Sequence, residues 1–304
     1  MRAQSNFKWI VSLMLISLCS TAFGQDVTEN TLQDQLYQEY KANGIEQSLK
    51  MYQKLDTDKT YNGFQEPLNL LGYRLMQEDN DLEAAKKVFE AQIAEYSTEA
   101  NPYDSYADVL LVMGNKTEAK KNLQKSVSIA EKSDTDLDQQ VFRGSIAKIA
   151  KLENKHRFFE FLDGTNNIDI TNYDGDKVAN QNKMKSFASY DEGGNILTIN
   201  FTNPDNDIMG KRIVVYDAVE DQYDMAFLNS TDPMGIRMSH LKVKDLGNNK
   251  LELMESYVDR KGKEHQVRHE IMKNDGSVEW VIFEQAKDSK NWEKATVQNF
   301  SKSN

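Results

Sequence analysis

Ser145 and Lys148 stand three positions apart, a spacing at which a lysine can take the proton of a serine hydroxyl and make it a nucleophile. Such a site needs further polar partners, a Ser-Asp-Asn or Tyr-x-Asn motif and a Lys-Thr-Gly strand. None occurs, nor does Gly-x-Ser-x-Gly, and the same Ser-x-x-Lys spacing recurs at Ser5/Lys8 and Ser239/Lys242. The pattern therefore reads as a solvated helix face. His265 and His269 lie four apart with Glu270 beside His269. On a helix they would share one face and could share a zinc ion. The run 266–272 alternates as a strand does, which sets the two imidazoles roughly 13 Å apart, too far for bonds of about 2.1 Å to one ion. They are expected as two partly exposed strand histidines. Asn203, Asp205 and Asp207, and again Asp134, Asp136 and Asp138, space their oxygens as a calcium loop does. Position six holds Ile208 and Gln139 where that loop needs glycine, and neither has glutamate at position twelve. An acidic turn and a helix start are expected there. No catalytic residue, metal ligand or cofactor is assigned.

The charge balance narrows the partners. The 304 residues include 37 Lys+Arg against 48 Asp+Glu, a net charge of −11. Nucleic-acid binding draws on a basic face, so no nucleic-acid partner is expected. The single cysteine, Cys19, excludes a disulfide framework. Arg2 and Lys8 introduce an apolar run at 9–18, and Ala22-Phe23-Gly24 puts small residues ahead of Gln25. This is the pattern of a secretory signal peptide over 1–24, cut at Gly24/Gln25, which predicts a periplasmic or secreted protein. The run is well short of the ~20 residues that span a bilayer, and Leu18 before Cys19 does not suit lipoprotein processing. Cleavage removes Arg2 and Lys8 and leaves a net charge of −13. No later stretch is apolar enough to span a membrane.

The elements that carry these residues change character near Glu153. Before it, apolar residues recur at helical spacing; after it, they alternate in short runs broken by Asp, Asn and Gly. Helices and strands in separate blocks predict two domains. The helical block repeats: Asn43-Gly44-Ile45, Asn80-Asp81-Leu82 and Asn115-Lys116-Thr117 each open a helix, and Asn80 and Asn115 are 35 positions apart. Gly72 recurs as Ala107, Leu75 as Leu110, Ala84 as Ala119 and Ala91 as Ser126, with Ser48 standing where the later repeats have alanine. A period near 34 with small residues at fixed points signals stacked helix hairpins. Asn101-Pro102 is expected to cap and start one helix, and Asp81 and Thr117 to cap the second helices. Val141, Ile146, Ile149 and Leu152 mark a last amphipathic helix that caps the stack.

These residues resemble tetratricopeptide repeats. Leu68-Asn69-Leu70-Leu71-Gly72-Tyr73 followed by Asn101-Pro102-Tyr103-Asp104-Ser105 resembles the repeat segment that follows the catalytic domain of secreted bacterial β-lactamase-type serine hydrolases; that catalytic domain is absent here. In the second half, Leu197/Ile199/Phe201, Tyr223/Met225/Phe227 and Val278/Trp280/Ile282 alternate with polar residues, and turns rich in Gly, Asn and Asp lie at 191–194, 245–249, 259–262 and 274–276. Eight to ten antiparallel strands are expected, in a barrel or closed sandwich. Gly210-Lys211-Arg212-Ile213-Val214-Val215-Tyr216-Asp217, then 222–230 ending in Asn229-Ser230, with Asn291-Trp292-Glu293-Lys294 near the end, resembles a family of uncharacterised bacterial lipocalin-like domains. The usual Gly-x-Trp of its first strand is replaced by Gly164-Thr165-Asn166. The resemblance implies a barrel and no particular chemistry. Met184, Met209, Met225, Met234, Met238, Met254 and Met272 are expected to fill the barrel core.

The reading that follows is α + β in two separate domains. A signal peptide covers 1–24, tetratricopeptide-like repeats 25–133, a capping and linker helix 134–156, and an antiparallel lipocalin-like β-barrel or closed sandwich 157–304. The expected function is a non-enzymatic module whose helical groove binds a protein or peptide partner, with Asn69, Tyr73, Tyr103 and Tyr106 as groove residues. The alternative is a carrier or sensor of a small apolar ligand in the barrel, and behind it a hydrolase with an unrecognised site.

Overall fold

The computed structural model describes residues 31–55, 60–229, 236–259, 261–285 and 291–303. The expected signal peptide, with Ser5, Lys8 and Cys19, lies outside them, as do Ser230, Met234 and Arg260. The chain divides into two compact units, one ending at Leu152 and the other starting at Glu153.

The first unit is all helical: α1 (Leu32–Asn43), α2 (Ile45–Lys54), α3 (Pro67–Arg74), α4 (Leu82–Glu95), α5 (Ala100–Val112), α6 (Lys116–Ala130) and α7 (Asp136–Leu152). Helices α1 and α2, α3 and α4, and α5 and α6 pack as consecutive pairs, and α7 lies on α6 and α5. The small residues stand at the crossings. A Cβ on Gly72 of α3 would lie 2.5 Å from the Phe89 ring of α4, so only glycine admits this approach. Ala84, Ala107 and Ala119 are buried. Ser48 fits its crossing because its hydroxyl donates to the Leu36 carbonyl at 2.8 Å, which removes the cost of a buried polar group.

Asp81 caps α4 by accepting the Ala84 N–H. Two other expected caps are corrected. Asn115, not Thr117, caps α6. Helix α5 begins at Ala100, so Asn101 lies inside its first turn, and its amide turns to Asn69 instead. Asp134, Asp136 and Asp138 form a helix start, where the Asp138 N–H and carboxylate both engage the Thr135 hydroxyl.

The second unit is a closed ten-stranded barrel in which every strand pairs antiparallel with its sequence neighbours and β1 pairs with β10. This is the up-and-down, lipocalin-like architecture. The strands are β1 (Gly164–Asp174), β2 (Lys177–Tyr190), β3 (Ile196–Thr202), β4 (Ile208–Asp217), β5 (Gln222–Asn229), β6 (Ile236–Gly247), β7 (Lys250–Val258), β8 (Glu264–Asn274), β9 (Ser277–Gln285) and β10 (Trp292–Lys302). Ile168, Leu197, Ile199, Val214, Tyr223, Met225, Leu241, Leu253, Ile271, Trp280 and Phe300 fill the interior. Met225 and Met184 belong to this core, whereas Met238 is 53% exposed. The methionines as a set therefore do not fill it. Two 3-10 turns, Lys155–Arg157 and Glu160–Leu162, precede β1 and close one end. Phe159 stacks on Trp280 with ring centroids 6.3 Å apart and meets Tyr223 edge-on at 5.1 Å. The Tyr223 hydroxyl donates to the Lys155 carbonyl at 2.7 Å, and the Asn166 amide to that of Leu162 at 2.8 Å.

Candidate functional site

The barrel interior changes along its axis. From the closed end, the inward side chains of β4 run Tyr216, Val214, Arg212, Gly210, since alternate residues of a strand share a face. A small void of about 10 Å³ lies beneath Arg212, lined by Phe159, Leu162, Ile199, Val214, Met225, Leu241 and Trp280. It has room for about one water molecule. Beyond Arg212 the inward positions become polar and aromatic. Phe227 of β5 pairs with Arg212, and Arg237 of β6 pairs with Phe227. Gly210 leaves space for the Phe227 ring, whose edge would stand 3.1 Å from a Cβ there.

Arg212 has no carboxylate within 4.0 Å among the described residues, and its Nε is sealed from solvent without a hydrogen-bond acceptor. Its guanidinium is flanked instead by the rings of Phe201 and Phe227, at 5.5 and 5.7 Å. Arg237 lies 4.9 Å from the Tyr257 ring and 3.6 Å from Glu255 Oε1. Glu255 is 4% exposed; its Oε2 is 3.0 Å from His269 Nε2, and its Oε1 makes no hydrogen bond among the described residues. Trp280 Nε1 donates to His269 Nδ1 at 3.0 Å. An indole N–H only donates, so Nδ1 presents its lone pair and the imidazole proton sits on Nε2, directed at Glu255. Burial alone would raise the Glu255 carboxyl; the His269 hydrogen bond, the charge of His269 when it is an imidazolium, and the charges of Arg212 and Arg237 outweigh it and hold the carboxyl at about 2. Burial lowers the Arg212 pKa, Glu255 opposes this, and Arg237 adds to it.

The residues singled out from sequence fall elsewhere or behave differently. His265 and His269 both lie on β8, as expected, but His269 is buried and only His265 remains partly exposed, stacked on Tyr257 and 3.0 Å from Asp259. Ser239 faces into the barrel while Lys242 faces out, so that Ser-x-x-Lys pair cannot meet. Ser145 is not on a solvated face: it is fully buried and its hydroxyl donates to Asp104 Oδ1 at 2.6 Å. Lys148 bonds Asp104 and Asp108 at 2.8 and 2.5 Å. Burial lowers its pKa, yet the two carboxylates outweigh burial and raise it. The amine stays an ammonium and cannot take a serine proton. Asn203 and Asp207 close a turn on each other, and among the described residues no three His, Cys, Asp or Glu side chains gather as a metal site.

Of the four expected groove residues, Asn69 is buried, with its Oδ1 accepting from Asn101 and Ser105. The Tyr73 hydroxyl donates to Asp108 at 2.8 Å and its ring meets Phe89 edge-on. Tyr103 and Tyr106 keep partly exposed rings, with hydroxyls on the Ser97 carbonyl and Glu90.

Arg212, Arg237, Glu255 and Trp280 were not singled out from sequence as a site. A signal existed: Arg212 shares its parity with Val214 and Tyr216, and Glu255 with Leu251 and Leu253, which places a charge on the inward face of each strand.

No family model and no curated protein matches this chain. Among the solved structures that resemble it, three are similar over about half of it. The crystal structure of Rv2717c from M. tuberculosis is 10% identical, covering 47% of this chain and 93% of that one, at a TM-score of 0.32. Wild-type fluorescent protein UnaG is 14% identical, covering 48% and 100%, at 0.27. The structure of EF1p2_mFAP2b bound to DFHBI is 11% identical, covering 49% and 98%, at 0.23.

Proposed function

We propose that the barrel unit is a carrier or sensor that receives a small ligand in its interior, between Arg212 and the end ringed by Phe201, Phe227, Arg237 and Tyr257. The observation that carries this reading is the change from a filled apolar interior to a polar one. A barrel serving only as scaffold gains nothing from turning Arg212 inward, because its Nε is sealed from solvent without an acceptor among the described residues and an unmatched buried polar group costs free energy. Below Arg212 the interior has room for about one water, so the ligand is proposed for the other half, where Phe201, Phe227 and Tyr257 are only partly buried. Native mass spectrometry of the purified protein and thermal shift against a panel of small amphipathic molecules test the reading. A bound ligand raises stability by RT ln(1 + [L]/Kd); a full panel with no shift and no retained mass would sink it.

The helical unit is read as tetratricopeptide-like hairpins. Support comes from the small residues at its crossings, Gly72, Ala84, Ala107 and Ala119. A protein partner for its groove rests on Tyr103 and Tyr106, since Asn69 and Tyr73 are engaged within the unit. Export is proposed from the amino-terminal pattern. An intact mass beginning at Gln25 supports it, and a retained Met1 or a lipid on Cys19 would overturn it.

A further inference from the structure

We infer that the ligand of the barrel is an amphipathic organic anion bearing one negative charge, seated head-first on Arg212 with Arg237, and that Glu255 rejects a second negative charge. This rests on the barrel being a small-ligand receptor. Charge pairing sets Arg212 apart from its neighbours. Arg212 and Arg237 are positive, Glu255 is negative, and His269 is a neutral Nε2–H tautomer because the Trp280 indole donates to its Nδ1. Arg212, half-buried, is the cation of this group left without a carboxylate within 4.0 Å among the described residues, while Arg237, 45% exposed, faces Glu255, and the exposed Glu284 stands on the inward face of β9 at the rim. Glu255 is already matched by the His269 N–H and by Arg237 at 3.6 Å. Arg212 has no such close partner among the described residues and feels Glu255 only at longer range. One monoanion gives Arg212 its missing partner, whereas a dianion places surplus negative charge beside the buried Glu255 carboxylate.

Geometry supplies the rest. A guanidinium presents a planar fork of donors that suits a carboxylate or sulfonate. The void beneath Arg212 measures about 10 Å³, so no ligand body passes below it, and the charged head is the deepest part of the ligand. Phe201 and Phe227 flank the guanidinium and offer apolar contact to the body just above the head. A bare inorganic ion would leave those rings unused.

Titration calorimetry of the full chain tests this with matched series on two bodies, a naphthyl ring and a decyl chain, each as carboxylate, carboxamide and phosphate monoester. The measurement is made at about pH 8, where the phosphate is doubly charged. The carboxylate should bind at least roughly tenfold tighter than both the amide and the phosphate. Arg212→Gln, and Arg212→Met as a second variant of similar length, should erase the preference over the amide while leaving amide binding intact. Glu255→Gln, which can still accept from His269, should bring the phosphate to within about threefold of the carboxylate. Circular dichroism of each variant shows whether its fold is retained. Equal binding of carboxylate and amide to the unmodified protein overturns the charge inference and leaves the receptor reading standing. Binding of no member in either series removes both.

Discussion

Glu255 couples the interior of the barrel to pH. Its carboxyl is held at about 2, against 4.5 for an unperturbed glutamate. A depressed carboxyl contributes stability above its unfolded pKa and loses it as pH falls through the folded one, so the contribution is complete above about pH 5 and disappears towards pH 2. The shift corresponds to at most about 3 kcal/mol. Chemical denaturation at stepped pH should show the Glu255→Gln protein losing less stability than the unmodified one between pH 5 and 2; parallel curves would refute the coupling. Gly72 sets a steric limit of a different kind. Gly72→Ala drives a methyl into Phe89 and should cost about 1–3 kcal/mol. The double variant with Phe89→Leu should recover part of it, because the ring edge is what the methyl meets. A melting temperature unchanged in Gly72→Ala would mean that α3 and α4 separate without penalty.

At the scale of elements, the segment ahead of β1 is part of the barrel. Phe159 is 4% exposed and touches Tyr223 and Trp280, so Phe159→Ala should destabilise this unit by about 3–5 kcal/mol. The variant should also shift the Trp280 emission to longer wavelength as water enters the closed end. Unaltered fluorescence together with unaltered stability would show that the aromatic segment does not seal it. Much of this architecture is legible in sequence: alternation in 197–201, 223–227 and 278–282 identifies inward faces, and the Gly and Asn turns mark the hairpins. The helix caps were less legible. Asn101-Pro102 has the chemistry of a helix start, but tertiary partners recruit the Asn101 amide to Asn69 and Ser105, and the helix opens before it.

At the scale of the whole molecule, compactness divides the chain at Leu152/Glu153. The Lys155 carbonyl and ammonium are bound within the second unit, by Tyr223 and Asp221. Separate chains 25–152 and 153–304 each exceed 100 residues, enough to bury a core. Each should fold, with helical and β circular dichroism respectively. Cutting after Arg157 instead should weaken the β piece, because it removes the Lys155 carbonyl from Tyr223. A β piece equally stable with either start would contradict that assignment.

Period and parity are local properties, so the sequence alone determines the helical and strand blocks, the small residues at the helix crossings and the inward face of each strand. It also determines the acid excess and the amino-terminal pattern that predicts export. Pairing across strands is not local. His269 meets Glu255 from the neighbouring strand β7 and Trp280 from β9, and Arg212 and Arg237 approach only because β5 separates them by one strand on a closed sheet. Ser145 and Lys148 look like a nucleophile and its base until α5 brings Asp104 and Asp108 against them. Only the tertiary structure decides which charges are matched. The strength of an ion pair depends on distance and burial, and neither is written into the order of residues along the chain.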